Sequence, residues 1–238
     1  MAGITNGQFC SKMSVYGFDV LTIGGYNADK NAINAGLKII ERGRHEFNIN
    51  ENELYHHIEE EIKYIKSNTD YHGQVSVNLR SSSPKPIIEI SKIKALDIIE
   101  INAHCRQPEL IESGCGQALL ENHKNLYDFI SEVVKNCKKK VSVKIRANVS
   151  GVDNITIAKA INNAGADYIH VDAMKPGHDY ADFSVIESIR NNVDLFIIGN
   201  NSIRDLESAR RMISSGADGI SIARAVINGT IPFDLSSV

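Results

Sequence analysis

The sequence has no stretch approaching the ~18 consecutive apolar residues of a membrane-spanning helix, and its start lacks the charged-then-apolar pattern of a secretory signal. Both absences point to a cytoplasmic protein with no membrane partner. Cysteine is scarce: four residues at positions 10, 105, 115 and 137, with no CxxC spacing. That argues against a zinc site and against a disulfide framework, and leaves reduced thiols with no metal. Excess positive charge is missing too, since 26 Lys and Arg against 29 Asp and Glu give a net charge of −3. The total charge therefore carries no footprint for nucleic acid, although a local basic patch is compatible with it. No Gly/Ser-rich linker, low-complexity tract or shift in composition marks a domain boundary. One domain over residues 1–238 is expected, a length sufficient for a full core.

What the sequence does contain is a rhythm. Short apolar runs at 18–25, 74–79, 97–102, 141–146, 167–172, 194–199 and 218–223 read as buried strands. Between them lie helical spacings near 28–43, 51–66, 86–94, 109–121, 124–138, 153–164, 182–191 and 203–215. Asn50 is the expected N-cap of the 51–66 helix, with Glu53 completing a capping box in outline. The segment MAGITN, a turn with no strand before it, would supply a stub of an eighth strand. Repeated strand and helix with parallel-type strands means a βα architecture, and the count favours a closed (β/α)8 TIM barrel with a truncated first strand over an open doubly wound sheet.

In such barrels chemistry collects where the strands end, so the polar residues leaving each apolar run are the candidates. The most marked interruption is IIEINAHCRQPELIESGCGQALL, residues 98–120, in which an apolar strand breaks at Asn102-Ala103-His104-Cys105. It reads as an active-site lip or, more blandly, as a loop in which Cys105 is a small buried filler. Lys144 and Arg146 stand in VSVKIRAN where a buried strand would otherwise take Val or Ile. Either an anion meets the lysine at the barrel mouth, or Glu100, inside IIEIN and itself needing a partner, forms a salt bridge with it. IIGNNSI and GISIARAVI, after the last two strands, have the Gly/Asn turns and helix openings of a phosphate site. The basic clusters at 138–140 and 210–211 lie on helix faces, where solvation is the common explanation.

These segments, in this order, resemble the catalytic barrel of the FMN-dependent tRNA-dihydrouridine synthases and, more distantly, dihydroorotate dehydrogenases. MAGITN is similar to that family's PMAGVTD opening, VSVNLRSSSP to its VQLxGxxP strand, and IEINAHCRQPELIESGCGQALL to its IxxNxGCPxxxVxxxGxGxxLL signature. VSVKIRAN matches VxVKxR, and FIIGNNSI with GISIARAVI matches the IxNGDI and VMIGRA pair. The resemblance implies FMN as cofactor, with Ala2 and Gly3 lining the flavin, Asn78 at the isoalloxazine edge, Lys144 near its N1/O2 region and Asp172 beside it. It implies that Gly199, Asn200, Ala223 and Arg224 hold the phosphate. As catalytic residues it implies Asn102 to orient a pyrimidine, Cys105 to donate a proton and Lys144 to stabilise reduced flavin. NADPH or NADH would recharge the cofactor, and the substrate would be a uridine in tRNA, reduced at C5=C6. Such a proton donor needs no lowered pKa.

Four departures from the pattern stand out: Arg106 where the family has Pro, Asp172-Ala173-Met174 for HGR, Gly199-Asn200-Asn201 for GNG and Ala223-Arg224 for GR. Asp172 removes a potential positive charge beside the flavin, and His170, on the same side of its strand, is a candidate to compensate. The family's helical tRNA-gripping domain is not expected within 1–238. That feature, with the slightly acidic charge, keeps open an FMN oxidoreductase acting on a free small pyrimidine; a flavin-binding protein without turnover is the third reading. Many such barrels pair, so a homodimer is among the expectations.

Overall fold

The computed structural model describes all residues, 1–238. Seven strands form one all-parallel sheet in chain order: β1 (Val20–Asn27), β2 (Gln74–Arg80), β3 (Ile98–Ala103), β4 (Lys140–Arg146), β5 (Tyr168–Asp172), β6 (Phe196–Asn200) and β7 (Gly219–Ser221). Helices follow them as α2 (Lys30–Glu41), α3 (Glu51–Asn68), α4 (Pro84–Ile90), α5 (Pro108–Glu112), α6 (His123–Asn136), α7 (Asn154–Asn163), α8 (Phe183–Arg190) and α9 (Leu206–Ser214), and α1 (Gly7–Met13) precedes β1. This is an α/β, TIM-barrel-like fold, as the strand and helix rhythm required. The expected eighth strand is not formed, and β7 is not bonded to β1. Residues 1–6 make a turn that docks on β1, where Gly24 N–H donates to the Thr5 carbonyl at 2.8 Å. Asn6 then caps α1 through Phe9 N–H, and a capped turn cannot also extend as a strand.

The strands are apolar because both faces are covered. Ile23, Val77, Ile99, Ile101, Val143, Ile169 and Ile197 are all at 0% exposure and belong to one core. Their N-terminal ends are fixed by a repeated device in which an aspartate before one strand accepts a backbone N–H from the strand preceding it. Asp97 takes Val75 N–H at 2.9 Å, Asp167 takes Val141 N–H at 2.9 Å, and Asp218 takes Ile197 N–H at 2.8 Å. The base of the sheet is thereby pinned in register, leaving the C-terminal ends for function.

Helix starts follow side-chain chemistry. Asp29 accepts Ala32 N–H to cap α2, Asn122 caps α6, Asp153 caps α7, and Asp205 with Ser208 forms a complete capping box on α9. The capping box expected at Asn50 is absent, because Asn50 makes no side-chain cap bond. The helix expected over 109–121 is two pieces: α5 ends at Glu112, Gly114 takes a φ of 78°, and a 3-10 turn runs Gly116–Leu120. Gly199 lets α9 approach β6, since a Cβ there would meet the Met212 side chain.

Candidate active site

The polar side chains at the strand ends form one connected cluster. Asn102 on β3 and Lys144 on β4 are direct register partners, as are Lys144 and His170, and Arg146 and Asp172. Alternation therefore sends these pairs to the same face. Asn102 Oδ1 accepts the N–H groups of His104 at 3.1 Å and Cys105 at 3.0 Å, which bends the chain after β3 and sets the Cys105 backbone. Asn102 Nδ2 donates to Asn78 Oδ1 at 2.8 Å, and Asn78 Nδ2 donates to Glu100 Oε1 at 2.7 Å. Both amides are thus largely committed, and each retains one N–H for a ligand.

Glu100 is not the direct partner of Lys144. His170 stands between them, with Nδ1 2.7 Å from Glu100 Oε2 and Nε2 3.3 Å from Lys144 Nζ. An ammonium can only donate, so Nε2 accepts and the ring proton sits on Nδ1, leaving His170 neutral. Burial and then Lys144 hold the His170 pKa below its ordinary value. Burial would raise the Glu100 pKa, but His170, Lys144 and Asn78 outweigh it, and the carboxyl is held well below the carboxylate range. The ammonium of Lys144 forms no ion pair with a carboxylate, although its neighbours Arg80 and Arg146 both do.

A second group surrounds Asp172. Its Oδ2 accepts from His104 Nε2 at 2.6 Å and Arg146 Nη1 at 3.1 Å, and its Oδ1 accepts from Asn201 Nδ2 at 2.6 Å. Burial opposes ionisation here also, but His104, Asn201 and Arg146 keep the carboxyl well below its usual range. For His104 the balance runs upward: burial lowers its pKa, while the bonds to Asp172 and to the Cys105 thiol raise it further. Burial likewise pushes the Cys105 thiol up, but the Arg80 charge, the His104 bond and charge, and Asn102 pull it down to about 6. The thiol is thus held below its ordinary value, a lowering that proton donation by itself does not require. Iodoacetamide at pH 7 should accordingly alkylate Cys105 well before Cys10 and Cys115, whose thiols burial pushes up to about 12. Peptide mapping showing Cys10 or Cys115 modified first would contradict this.

The sequence candidates fall into three groups. Asn78, Asn102, Cys105, Lys144 and Asp172 belong to the connected cluster. Gly199, Asn200 and Ala223 lie at the adjacent β6 and β7 ends, where Asn200 Nδ2 donates to the Ser221 carbonyl at 2.6 Å. Asn201, with φ of 109°, ties this region to Asp172. Arg224 is exposed and close enough to Arg146 for their charges to oppose. Ala2 and Gly3 sit in the N-terminal turn, whose amine feels the charges of Lys144, Arg80 and Cys105. Gly3 itself faces the backbone of His45 and Glu46.

Three functional candidates were missed from sequence. Arg80 ends β2, one residue beyond the expected strand, and pairs with Glu46 at 2.6 Å with both side chains at 2% exposure or less. A charge closing an apolar run was the available signal, the same one that marked Lys144. His104 occupies the glycine position of the NxGC segment, and Glu46 lies in a connecting loop that no pattern distinguishes.

Because Glu100 and Asp172 have folded-state pKa values below their unfolded ones, they contribute stability that is complete above the unfolded carboxylate value of about 4. That contribution is lost as the pH falls from there toward the folded values. Melting temperature should fall steeply below about pH 4, and Glu100→Gln with Asp172→Asn should flatten that limb; an unchanged limb would refute the assignment.

A titratable cluster at the C-terminal ends of parallel strands in a TIM-barrel-like fold defines the active-site position of a barrel enzyme. The chain belongs to the dihydrouridine synthase (Dus) family, whose model matches residues 48–233. An uncharacterized protein of Methanocaldococcus jannaschii is 38% identical over 239 residues, 97% of this chain and 88% of that one. The tRNA-dihydrouridine synthase B of Proteus vulgaris is 29% identical over 168 residues, 66% of this chain and 51% of the relative. This chain thus aligns with about half of that synthase's length. Among solved structures, FabK from Thermotoga maritima superposes with a TM-score of 0.60 at 16% identity, over 95% of this chain and 57% of FabK, a likeness of fold. No helix is long and apolar enough to cross a membrane.

Proposed function

We propose that this chain is an FMN-dependent reductase of the C5=C6 bond of a uracil ring, with uridine in tRNA as substrate and NADPH or NADH as the source of electrons. The observation that supports this reading is the direct register of Asn102 on β3 with Lys144 on β4, together with the bond from the Cys105 N–H to Asn102 just past the end of β3. The cluster also suits FMN chemically. Arg80 Nε is buried without a nitrogen or oxygen partner, and Lys144 Nζ has no carboxylate to neutralise it. An ammonium without a carboxylate and a buried N–H without an acceptor both suit an electron-rich, anionic group. When bound, FMN would supply the hydride of the reduction.

The residues take the following roles in this reading. Lys144 places positive charge by the N1/O2 edge, Asn78 and Asp172 line the ring with Ala2 and Gly3, and Gly199, Asn200, Ala223 and Arg224 hold the phosphate. Asn102 uses its remaining N–H to orient the uracil. Cys105 donates the proton that completes the reduced bond.

The test is the visible spectrum of the purified protein and the identity of the flavin released by heat, followed by dihydrouridine assays on tRNA and on free uracil compounds. Bound FMN with dihydrouridine formed in tRNA is the expected result; FMN with turnover only on free pyrimidines would move the substrate to a small molecule. A colourless protein unable to take up FMN would end the reading. Lys144→Ala should weaken FMN binding by about 10- to 100-fold, the equivalent of one charge-assisted hydrogen bond. Undiminished affinity and reducibility in a flavin titration would count against the lysine's role.

A further inference from the structure

A buried carboxylate and an ammonium stand on the same face of neighbouring strands and do not pair. Glu100 on β3 is in register with Ser142 on β4, and Lys144 is the next residue of β4 on that face. In a site shielded from water, direct contact between two such charges would be favourable. What prevents it is the imidazole of His170, which β5 places in register with Lys144. Its Nδ1 lies 2.7 Å from Glu100 Oε2 and its Nε2 lies 3.3 Å from Lys144 Nζ, and the side chain is only 7% exposed.

The two ends of this chain of contacts are satisfied differently. Glu100 accepts from Asn78 Nδ2 at 2.7 Å, from Ser142 Oγ at 3.1 Å and from His170 Nδ1, and all three donors are neutral. The carboxylate therefore has its hydrogen bonds without engaging the cation. Lys144 gives one N–H to an uncharged nitrogen, which leaves the charge and the other two N–H groups of its part-buried ammonium uncommitted. Arg80 and Arg146 are already paired with Glu46 and Asp172, so Lys144 is the strand-borne cation of the cluster that remains to meet an anion. A neutral His170 adds no positive charge of its own beside Asp172; it preserves that of Lys144 instead.

We infer that His170 is a positioning residue that holds the Glu100 carboxylate off Lys144, so that the ammonium keeps its charge and two N–H groups for an anionic ligand at the barrel mouth. The inference rests on the proposed function only for the identity of that ligand, FMN and its reduced form in particular. Direct contact between Glu100 and Lys144 would neutralise the cation and draw it back along β4 toward the level of Ser142. An imidazole suits the position because it donates on one side and accepts on the other. An aliphatic side chain there would leave both charged groups short of a partner and free to meet.

The test is His170→Ala in the full chain. Its crystal structure without flavin should show Lys144 Nζ within about 4 Å of a Glu100 carboxylate oxygen. Its FMN affinity, read by fluorescence titration, should fall by about tenfold or more. Combining His170→Ala with Glu100→Gln removes the carboxylate that captures the ammonium, and should bring the affinity back to within about threefold of the unmutated protein. A ring that merely filled the core would make the double variant weaker than the single one, and that result overturns the inference. So does a His170→Ala structure in which Lys144 still stands clear of Glu100, whatever the affinity. His170→Gln, whose amide donates and accepts as the ring does, should keep both the separation and most of the affinity. If the unmutated protein takes up no FMN, the proposed function falls, and the distance between Glu100 and Lys144 in the variant still decides the spacer. Should His170→Ala fail to fold, NMR of the ring nitrogens in the unmutated chain decides. At pH 7 the His170 ring should carry its proton on Nδ1 alone, and a proton on Nε2 would overturn the inference, because Nε2 could not then accept from Lys144.

Discussion

Replacing Cys105 with alanine is expected to lower the rate of uracil reduction by about 10²–10⁴-fold, the range for loss of a positioned general acid, while FMN stays bound. The selectivity of the effect follows from geometry. Cys105 is set by Asn102 through its backbone N–H, and the charges of Arg80 and His104 lower its thiol. None of the residues assigned to FMN depends on the sulfur for its position: Lys144 rests on His170, and Asn78 on Glu100. Cys137→Ala, at the far end of α6, should leave the rate unaltered, which separates loss of the acid from general sensitivity to cysteine removal. Cys105→Ser should resemble alanine, because a hydroxyl is a far weaker acid than a thiol. Rates and bound flavin measured on the same samples decide the matter, and unchanged turnover in Cys105→Ala would remove the residue from the mechanism.

The largest expected stability effect belongs to a residue outside every motif. Glu46→Ala leaves the Arg80 guanidinium, 2% exposed, without its carboxylate at 2.6 Å and with only Asn27 Oδ1 at 3.1 Å on Nη1. Removing one member of a buried ion pair costs about 3–5 kcal/mol, a large part of the ~5–15 kcal/mol that holds a domain folded. Urea unfolding at pH 7 should show the loss, and Glu46→Gln, able to accept one hydrogen bond, should lose less. The double replacement Glu46→Leu with Arg80→Met should recover much of it, since neither charge is then buried alone. A second readout follows from electrostatics: with Glu46 gone, the Arg80 charge acts undiluted on Cys105, and the thiol should titrate lower. A stable Glu46→Ala protein with unaltered thiol titration would show that the pair contributes neither to folding nor to the site.

The chemistry-bearing residues were legible because an apolar strand advertises its exceptions. Lys144, Asn102 and Asp172 stand out in VSVKIR, IIEIN and YIHVD, while their register came from the sheet itself. Arg80 carried the same mark and was lost by ending the strand one residue early. His104 was visible as a residue but not as a partner, since its role depends on Asp172, which is 68 positions away. Glu46 had no mark at all: it lies in a loop and acquires its meaning only where that loop folds over β2.

Local periodicity, capping residues and turn glycines act over a few positions, so the sequence by itself determined seven strands, their parallel βα order and the face on which the candidate residues collect. Whether an eighth strand forms, which carboxylate meets which cation, and whether Cys105 rests as thiol or thiolate were decided by the tertiary structure alone. The reason is that charge and burial act through space: a pKa is set by groups brought together from β2, β3, β4 and β5, and no local pattern encodes their sum.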